Sequence, residues 1–263
     1  MQSLRLWLAA PDAAQHFDPA QLTDEDRLAL ARLRRAARRQ EFAVSRALRA
    51  HVRSERDPFR ESLSHSGGYA ALAQAQPELQ VGVDLELHRP RNALSISRTA
   101  FNESETRALE AAAGPERERL FYAMWTVKEA LAKALQLPLL EALRSCELVV
   151  EGPAWQIRIP APAVGCVAVY RPRTELTLAV ACIAPAGVRD YLDATVPIET
   201  WSWPPQRLAS WPVIAAISLS AAGAPAATDR GSAGAARAAA RVSDSGTDGS
   251  SCGCGPARPA AAS

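Results

Sequence analysis

Lysine is almost absent from this 263-residue sequence. Its 30 basic residues include only two lysines, Lys128 and Lys133, and all the others are arginines. The formal net charge is only +2, so charge alone does not indicate a nucleic-acid-binding protein. The two lysines lie close together either by chance or because a site there needs the compact point charge that arginine does not provide.

Long apolar runs are also missing. No stretch approaches the roughly 20 residues that a membrane-spanning helix needs. The first ten residues lack the long apolar core and small-residue cleavage site of a signal peptide. The five cysteines are an odd number, which argues against a disulfide framework. We therefore expect a cytoplasmic protein that does not enter a membrane.

The pattern of strands and helices divides the chain into three parts. Residues 1–80 predict an N-terminal subdomain, with a first strand in 1–10 and a helical region that begins at an N-cap, Thr23. Residues 81–190 predict a C-terminal subdomain in which an alternating strand precedes two helices and four short strands. Residues 191–263 begin with a Pro/Trp segment, which we expect to pack over the C-terminal subdomain, and continue from about residue 220 as a low-complexity tail, which we expect to be disordered.

Two carboxylates share one face of a predicted strand. In the segment 81–87, VGVDLEL, the odd positions are apolar and the even positions include Asp84 and Glu86. Alternate side chains of a strand point to the same face, so their backbones lie roughly 6.5–7 Å apart. Oxygen ligands at this spacing suit Mg²⁺. The other interpretation is an ordinary polar strand edge that faces solvent.

A predicted helix carries a second set of charged residues. Trp125, Glu129 and Lys133 follow each other at intervals of four, so they share one helix face. Glu129 and Lys133 are either a surface ion pair or a functional pair. As a functional pair, Glu129 would be a third metal ligand or a general base, and Lys133 would bind a phosphate.

A polar turn is the third candidate segment. It reads Ser64-His65-Ser66-Gly67-Gly68, and its histidine and free backbone N–H groups are suited to bind an anion. An ordinary polar turn is the alternative.

The three segments together form a compound pattern in a fixed order. Ser-His-Ser-Gly is followed by G-V-D-L-E, by Phe101 with Glu105 four residues later, and by W-x-x-K-E-A-x-x-K. Over roughly residues 1–190 this pattern resembles the 4′-phosphopantetheinyl transferases of the larger, monomeric, surfactin-synthetase-activating type. One departure is that RSERDPFRE stands where many relatives have a Gly-Lys-Pro turn.

The resemblance implies a function and a set of site residues. The chain would transfer the 4′-phosphopantetheine of coenzyme A to a serine of an acyl or peptidyl carrier protein and release adenosine 3′,5′-bisphosphate. The implied metal ligands, catalytic residues and cofactor-binding residues come from the matched positions. Asp84, Glu86 and Glu129 would hold Mg²⁺; Asp84, Glu129 and Lys133 would be catalytic; Ser64, His65, Arg46, Lys128 and Lys133 would bind the cofactor.

The resemblance also implies a fold. It predicts an α+β protein of two similar subdomains with pseudo-twofold symmetry, each a small antiparallel sheet with packed helices. The cofactor would lie in the cleft between them, and the chain would be a monomer.

Three other functions are open at this stage. Residues 27–60 hold 11 arginines. These arginines could form a solvated helix face, attract the phosphates of coenzyme A or an acidic carrier protein, or bind nucleic acid. No recognised nucleic-acid-binding module is visible, so we expect no nucleic acid partner. Another magnesium phosphotransferase is disfavoured because the sequence has no phosphate-binding loop or kinase motif. A non-catalytic relative that binds coenzyme A is disfavoured because all the carboxylates and Lys133 are present.

Overall fold

The fold was obtained as a computed structural model. It describes residues 4–52, 59–151, 154–160, 163–185, 198–203, 206–207 and 213–221. These residues contain six α-helices, two short 3₁₀ turns and eleven strands. The helices are α1 Asp24–Arg32, α2 Ala36–Val52, α3 Ala93–Ala100, α4 Glu103–Ala111, α5 Gly114–Leu135 and α6 Leu139–Ser145. The strands are β1 Leu4–Ala9, β2 Arg60–Ser66, β3 Tyr69–Ala75, β4 Gln80–Leu87, β5 Glu147–Glu151, β6 Ala154–Ile159, β7 Ala163–Arg173, β8 Leu176–Pro185, β9 Ile198–Trp203, β10 Gln206–Arg207 and β11 Val213–Ala221.

The strands form two sheets. The first has the order β10-β9-β1-β3-β2, and the second has the order β4-β8-β7-β11-β6-β5. Most neighbours are antiparallel, as predicted, but β9 runs parallel to β1 and β11 runs parallel to β6. The chain passes from the first sheet to the second between β3 and β4, and β2 and β4 are edge strands.

The two sheets pack face to face between helices. Leu4, Leu6 and Leu8 of β1 share one core with Val83 and Leu85 of β4. Strand alternation turns the intervening residues of β1 towards α2, which covers the outer face of the first sheet. Helix α5 covers the outer face of the second sheet together with α3, α4 and α6. The layers are therefore helix, sheet, sheet and helix.

A glycine lets α5 lie unusually close to β4. A Cβ at Gly82 would lie 1.9 Å from the carbonyl oxygen of Ala130 and 2.6 Å from the backbone nitrogen of Ala134. Real Cβ atoms do not come so near to backbone atoms, so any other residue here would push the helix away. The carboxylate face of β4 therefore packs against α5, and Asp84 is only 3% exposed. The sequence predicted a half-buried strand here, whereas β4 is covered on both faces.

Most of the predicted elements of the two subdomains are present. Thr23 caps α1 as predicted, because its hydroxyl accepts a hydrogen bond from the backbone N–H of Asp26. Helices α3 and α6 were not predicted. Both are at most eight residues long, which is too short for apolar periodicity to be recognisable.

The described parts of the chain between residues 198 and 221 form three strands. Strands β9 and β10 extend the first sheet, and β11 lies between β6 and β7 in the second. The segment Val213–Ala221 contains enough large apolar residues for a strand, and its backbone groups pair with β7 and β6. The rest of the tail lies outside the described residues.

The predicted division into subdomains 1–80 and 81–190 stays a prediction. All the described residues belong to one compact unit that extends to Ala224. None of the described helices has both the length and the apolar character that crossing a membrane requires.

Replacing Gly82 tests the close approach of α5 to β4. We expect Gly82→Ala to lower the free energy of unfolding by about 3 kcal/mol or more, since a backbone clash cannot be relieved by a side-chain rotation. Urea denaturation measures the loss. Gly114→Ala is the control because a Cβ there meets nothing within 4 Å and only the positive φ of +51° opposes it. A Gly82→Ala loss no larger than the control's, about 1 kcal/mol, would contradict the packing argument.

Candidate active site

Three carboxylates meet where α5 crosses β4. Asp84 and Glu86 come from the outer face of β4, and Glu129 comes from the facing side of α5. One oxygen of each lies within 4.8 Å of the others, and they form a group that could hold a metal ion. The strand and the helix thus bring together the three predicted metal ligands, which are 45 residues apart along the sequence at their extremes.

The site has the chemistry that a divalent cation needs. Oδ2 of Asp84 is buried and has no hydrogen-bond partner among the described residues. Burial and the neighbouring charge of Asp84 raise the pKa of Glu86. Burial and the same charge raise the pKa of Glu129 to about 7, against the opposing effect of Lys133. A buried oxygen that lacks a partner and repelling carboxylates both favour a bound cation, and hard oxygen ligands suit Mg²⁺.

Lys133 lies at the rim of the carboxylate group. Its ammonium donates to Oδ1 of Asp84 at 2.9 Å and to the backbone oxygen of Val83 at 2.8 Å. The side chain is 33% exposed, and an ammonium group has three N–H donors. One donor therefore remains for an anionic group that approaches from solvent.

Three serines of β2 contact β4. The hydroxyls of Ser62, Ser64 and Ser66 accept hydrogen bonds from the backbone N–H groups of residues 83, 85 and 87 at 2.9, 3.2 and 3.1 Å. We call these three residues the serine ladder. Ser64 also donates to Oδ1 of Asp84 at 2.9 Å, and Ser66 donates to Oε2 of Glu86 at 3.1 Å.

The described contacts of Ser64 are with the protein, and its part in cofactor binding stays a prediction. Ser64 is only 8% exposed, and its one proton already goes to Asp84. It therefore supports a carboxylate from within the protein.

His65 is the predicted anion-binding residue that faces outward. Its side chain is 37% exposed, and Nδ1 lies 3.6 Å from Oε2 of Glu41 on α2. Glu41 also accepts a hydrogen bond from the backbone N–H of Gly67 at 3.0 Å and pairs with Arg38 at 2.9 Å. Burial lowers the pKa of His65, and the Glu41 carboxylate acts in the opposite direction. Glu41 thus fixes both the imidazole and the turn that follows β2.

Arg46 lies on α2, and the contacts described for its side chain are with α1 and α2. Its Nε is 2.7 Å from Oδ1 of Asp26, and its guanidinium lies 4.4 Å from the centre of the Phe42 ring. It also lines a cavity of about 230 Å³ together with Asp26 and Arg49. Its part in cofactor binding stays a prediction.

Lys128 lies in the interior of the protein, and its predicted part in cofactor binding stays a prediction. Its side chain is completely buried, and Nζ lies 2.9 Å from Oε1 of Glu105, which is buried as well. Nζ also donates to the backbone oxygens of Leu143 and Cys146 at 2.6 and 2.7 Å. The three N–H donors are thereby used inside the protein. The pair of Lys128 and Glu105 is structural.

The sequence analysis did not recognise two residues that support side chains of the candidate site, Glu41 and Ser66. Glu41 gives no sequence signal, because only the packing of α2 on the first sheet brings it to His65. Ser66 was recognised only as part of a turn. The alternation of Ser62, Ser64 and Ser66 is a usable signal, because residues at intervals of two in a strand share one face.

One part of the chain is similar to known proteins. Residues 80–162 match the family model described as the 4′-phosphopantetheinyl transferase superfamily. A Synechocystis sp. protein provisionally named a 4′-phosphopantetheinyl transferase is 36% identical over 83 residues, 31% of this chain and 33% of its own length. The 4′-phosphopantetheinyl transferases AcpT of Salmonella typhimurium and Salmonella typhi are 38% identical over 73 residues and 42% identical over 74 residues, in each case 27% of this chain and 38% of theirs.

These matches cover little more than a third of the curated relatives' length. They support the phosphopantetheinyl transferase superfamily for the part of the chain that carries Asp84, Glu86, Glu129 and Lys133. Among solved structures, the holo-[acyl-carrier-protein] synthase of Thermotoga maritima matches with a TM-score of 0.32 and 16% identity, over 40% of this chain and 63% of that one. A structural similarity this low does not support any conclusion about the fold or the function of this chain.

The raised pKa of Glu129 predicts an unusual pH dependence of stability. The unfolded carboxyl ionises near pH 4.5 and the folded one near pH 7, so folding is favoured by this group at low pH. Its contribution is lost as the pH rises through about 7. In metal-free protein, we expect the melting temperature of the wild type to fall by several degrees relative to Glu129→Gln between about pH 5 and pH 8.

Glu103→Gln, at a glutamate that is 84% exposed, is the matched control for this melting experiment. A saturating divalent cation should restore the wild-type melting temperature at pH 8 and have less effect on Glu129→Gln. A difference between wild type and Glu129→Gln that does not change with pH would contradict the electrostatic argument.

The buried pair predicts that Lys128 matters for stability. Lys128→Met leaves the Glu105 carboxylate buried and unpaired, so we expect a loss of about 3–5 kcal/mol in the free energy of unfolding. Urea denaturation measures this loss. The double variant Lys128→Met/Glu105→Gln should recover part of it because it removes the unpaired charge. A loss below about 1 kcal/mol for Lys128→Met would show that the ammonium is not held as described.

Proposed function

We propose that this protein transfers the 4′-phosphopantetheine moiety of coenzyme A to a serine of an apo carrier protein. The observation that supports this most is the meeting of Asp84, Glu86, Glu129 and Lys133 within the segment that matches the transferase superfamily. Phosphoryl transfer depends on positioning and on neutralising negative charge, and these four side chains are suited to both.

Asp84, Glu86 and Glu129 would hold Mg²⁺ together with the pyrophosphate of coenzyme A. When bound, Mg²⁺ would neutralise phosphate charge and act as a Lewis acid. The fit rests on the unpartnered Oδ2 of Asp84 and on a set of hard oxygen ligands. The three carboxylates alone leave room for phosphate and water, which Mg²⁺ usually keeps in its coordination shell.

Glu129 would also accept a proton. In the proposed reaction the hydroxyl oxygen of the carrier serine forms a bond to the β-phosphorus of coenzyme A. The bond between that phosphorus and the bridging oxygen of the pyrophosphate breaks, and adenosine 3′,5′-bisphosphate leaves. The serine proton goes to the Glu129 carboxylate, directly or through water. A carboxylate in a partly buried site next to other carboxylates is more basic than one in water.

The cationic residues would hold the phosphates. Lys133 has one N–H donor left beyond its bonds to Asp84 and Val83, and it would direct this donor to the phosphate under attack. His65 would contact the cofactor phosphates from the end of β2. Arg46 would add positive charge from α2 if its pairing with Asp26 allows a phosphate to share the guanidinium.

We further propose the larger, monomeric type of transferase, which acts on acyl or peptidyl carrier proteins in the cytoplasm. The support is that both sheets belong to one chain, and that β2 of the first sheet completes the surroundings of carboxylates from the second. Transferases of the smaller type, which have about half of this core, would need a second subunit for the same contact. Light scattering after size exclusion would test the monomer.

Intact mass spectrometry tests the proposed reaction. Apo carrier proteins of the fatty-acid and peptidyl types would be incubated with the protein, coenzyme A and Mg²⁺. We expect a mass gain of one phosphopantetheine on at least one carrier. The gain should vanish with EDTA and fall by at least about 100-fold in rate with Glu129→Gln, because both the base and a metal ligand are lost.

Glu103→Gln is again the matched control and should leave the rate unchanged, since its carboxylate lies in solvent on α4. No mass gain with any carrier, and no binding of coenzyme A by calorimetry, would contradict the proposed function. A salt-sensitive shift of nucleic acid in a gel would then favour the basic helix as the functional element.

A further inference from the structure

The edges of the two sheets meet through the serine ladder. Strand β2 is the last strand of the first sheet and β4 is the first strand of the second. The backbone N–H groups of residues 83, 85 and 87 point out of the second sheet at intervals of two. Each donates a hydrogen bond to the hydroxyl of Ser62, Ser64 or Ser66, and these serines are spaced along β2 at the same interval.

A hydroxyl can do what a backbone carbonyl cannot. In ordinary strand pairing these N–H groups would meet carbonyl oxygens, which only accept hydrogen bonds. A serine hydroxyl accepts the N–H and still has a proton to donate. Ser64 donates that proton to Oδ1 of Asp84, and Ser66 donates it to Oε2 of Glu86.

These bonds hold one named oxygen of each strand carboxylate. Oδ1 of Asp84 accepts hydrogen bonds from Ser64 and Lys133. Oδ2 is the buried oxygen that has no partner among the described residues. Ser66 holds Glu86 through Oε2, on which Arg91 also converges at 3.8 Å. The carboxylates are therefore fixed at one oxygen each before any cation is bound.

We propose that Ser64 and Ser66 are positioning residues that orient the two strand carboxylates for a divalent cation. This inference rests on the proposed function only in taking the carboxylate group as a metal site. Ser66 is the stronger case, because Arg91 lies 3.8 Å from the Glu86 oxygen that Ser66 holds, whereas Lys133 lies only 2.9 Å from the Asp84 oxygen that Ser64 holds. Ser62 accepts a backbone N–H in the same way, but no carboxylate contact is described for its hydroxyl.

Ser62 therefore offers a matched control within the ladder. Alanine at any of the three positions removes one acceptor for a β4 backbone N–H. Only the changes at Ser64 and Ser66 also remove a donor to a carboxylate. Threonine at position 66 keeps the hydroxyl and should rescue the function of Ser66.

Binding of Mn²⁺ to the full-length protein tests the inference without coenzyme A or a carrier. The concentration of free Mn²⁺ would be followed by electron paramagnetic resonance. We expect Ser66→Ala and Ser64→Ala to weaken Mn²⁺ binding by about 10-fold or more, since residues that orient metal ligands usually have effects of this size. Ser62→Ala and Ser66→Thr should bind Mn²⁺ like the wild type.

Each outcome of the Mn²⁺ titration has a definite meaning. A loss of affinity in Ser62→Ala equal to that in Ser66→Ala would overturn the inference, because the ladder would then act only through the backbone. Unchanged binding in both Ser64→Ala and Ser66→Ala would overturn it too, as would a wild type that binds no Mn²⁺. If Ser64→Ala does not fold, Ser66→Ala and Ser66→Thr decide the question.

The titration also separates this inference from the proposed transferase activity. A wild type that binds Mn²⁺ but neither modifies a carrier nor binds coenzyme A would contradict the proposed function and leave the serine comparison valid. A wild type that modifies carriers, with Ser66→Ala unchanged in Mn²⁺ affinity, would support the function and overturn the inference.

Discussion

The close approach of α5 to β4 at Gly82 is the constraint on which the site depends. Because no side chain separates the strand from the helix backbone at Ala130 and Ala134, the two elements pack at the distance that lets Glu129 reach Asp84 and Glu86. A longer separation would leave two carboxylates on a strand and a third on a helix without a common centre. The position of one missing Cβ thus decides whether three separate acids form one group.

Bringing three carboxylates together in a partly buried place is unfavourable without compensation. The protein supplies that compensation unevenly, because Lys133 and Ser64 both act on Asp84, which is the most buried of the three. Glu86 has weaker support from Ser66 and Arg91, and its pKa stays raised. The negative charge of the three carboxylates is therefore only partly compensated, and a bound divalent cation would reduce the remaining repulsion.

The sequence predicted the parts of the site that follow from short-range periodicity. The interval of two placed Asp84 and Glu86 on one face, and the interval of four placed Glu129 and Lys133 on another. Nothing in the sequence alone showed that these faces touch, and the polar strand looked half exposed because the covering helix lies far along the chain. For the same reason the role of Glu41 was missed. The motif position of Lys128 did not reveal that its side chain is buried, because a motif does not show whether a side chain points to a cleft or to the core.

The two edge strands explain why the site lies where it does. An exposed strand edge carries unpaired backbone groups that must be satisfied or covered. Here the edge of the second sheet is satisfied by hydroxyls instead of by a continued ladder, so the sheets do not merge into one. The carboxylates therefore lie at the boundary of the two sheets, where Lys133 is partly exposed and His65 faces outward. The serines of β2 therefore satisfy the backbone edge of β4 and also hold two of its carboxylates.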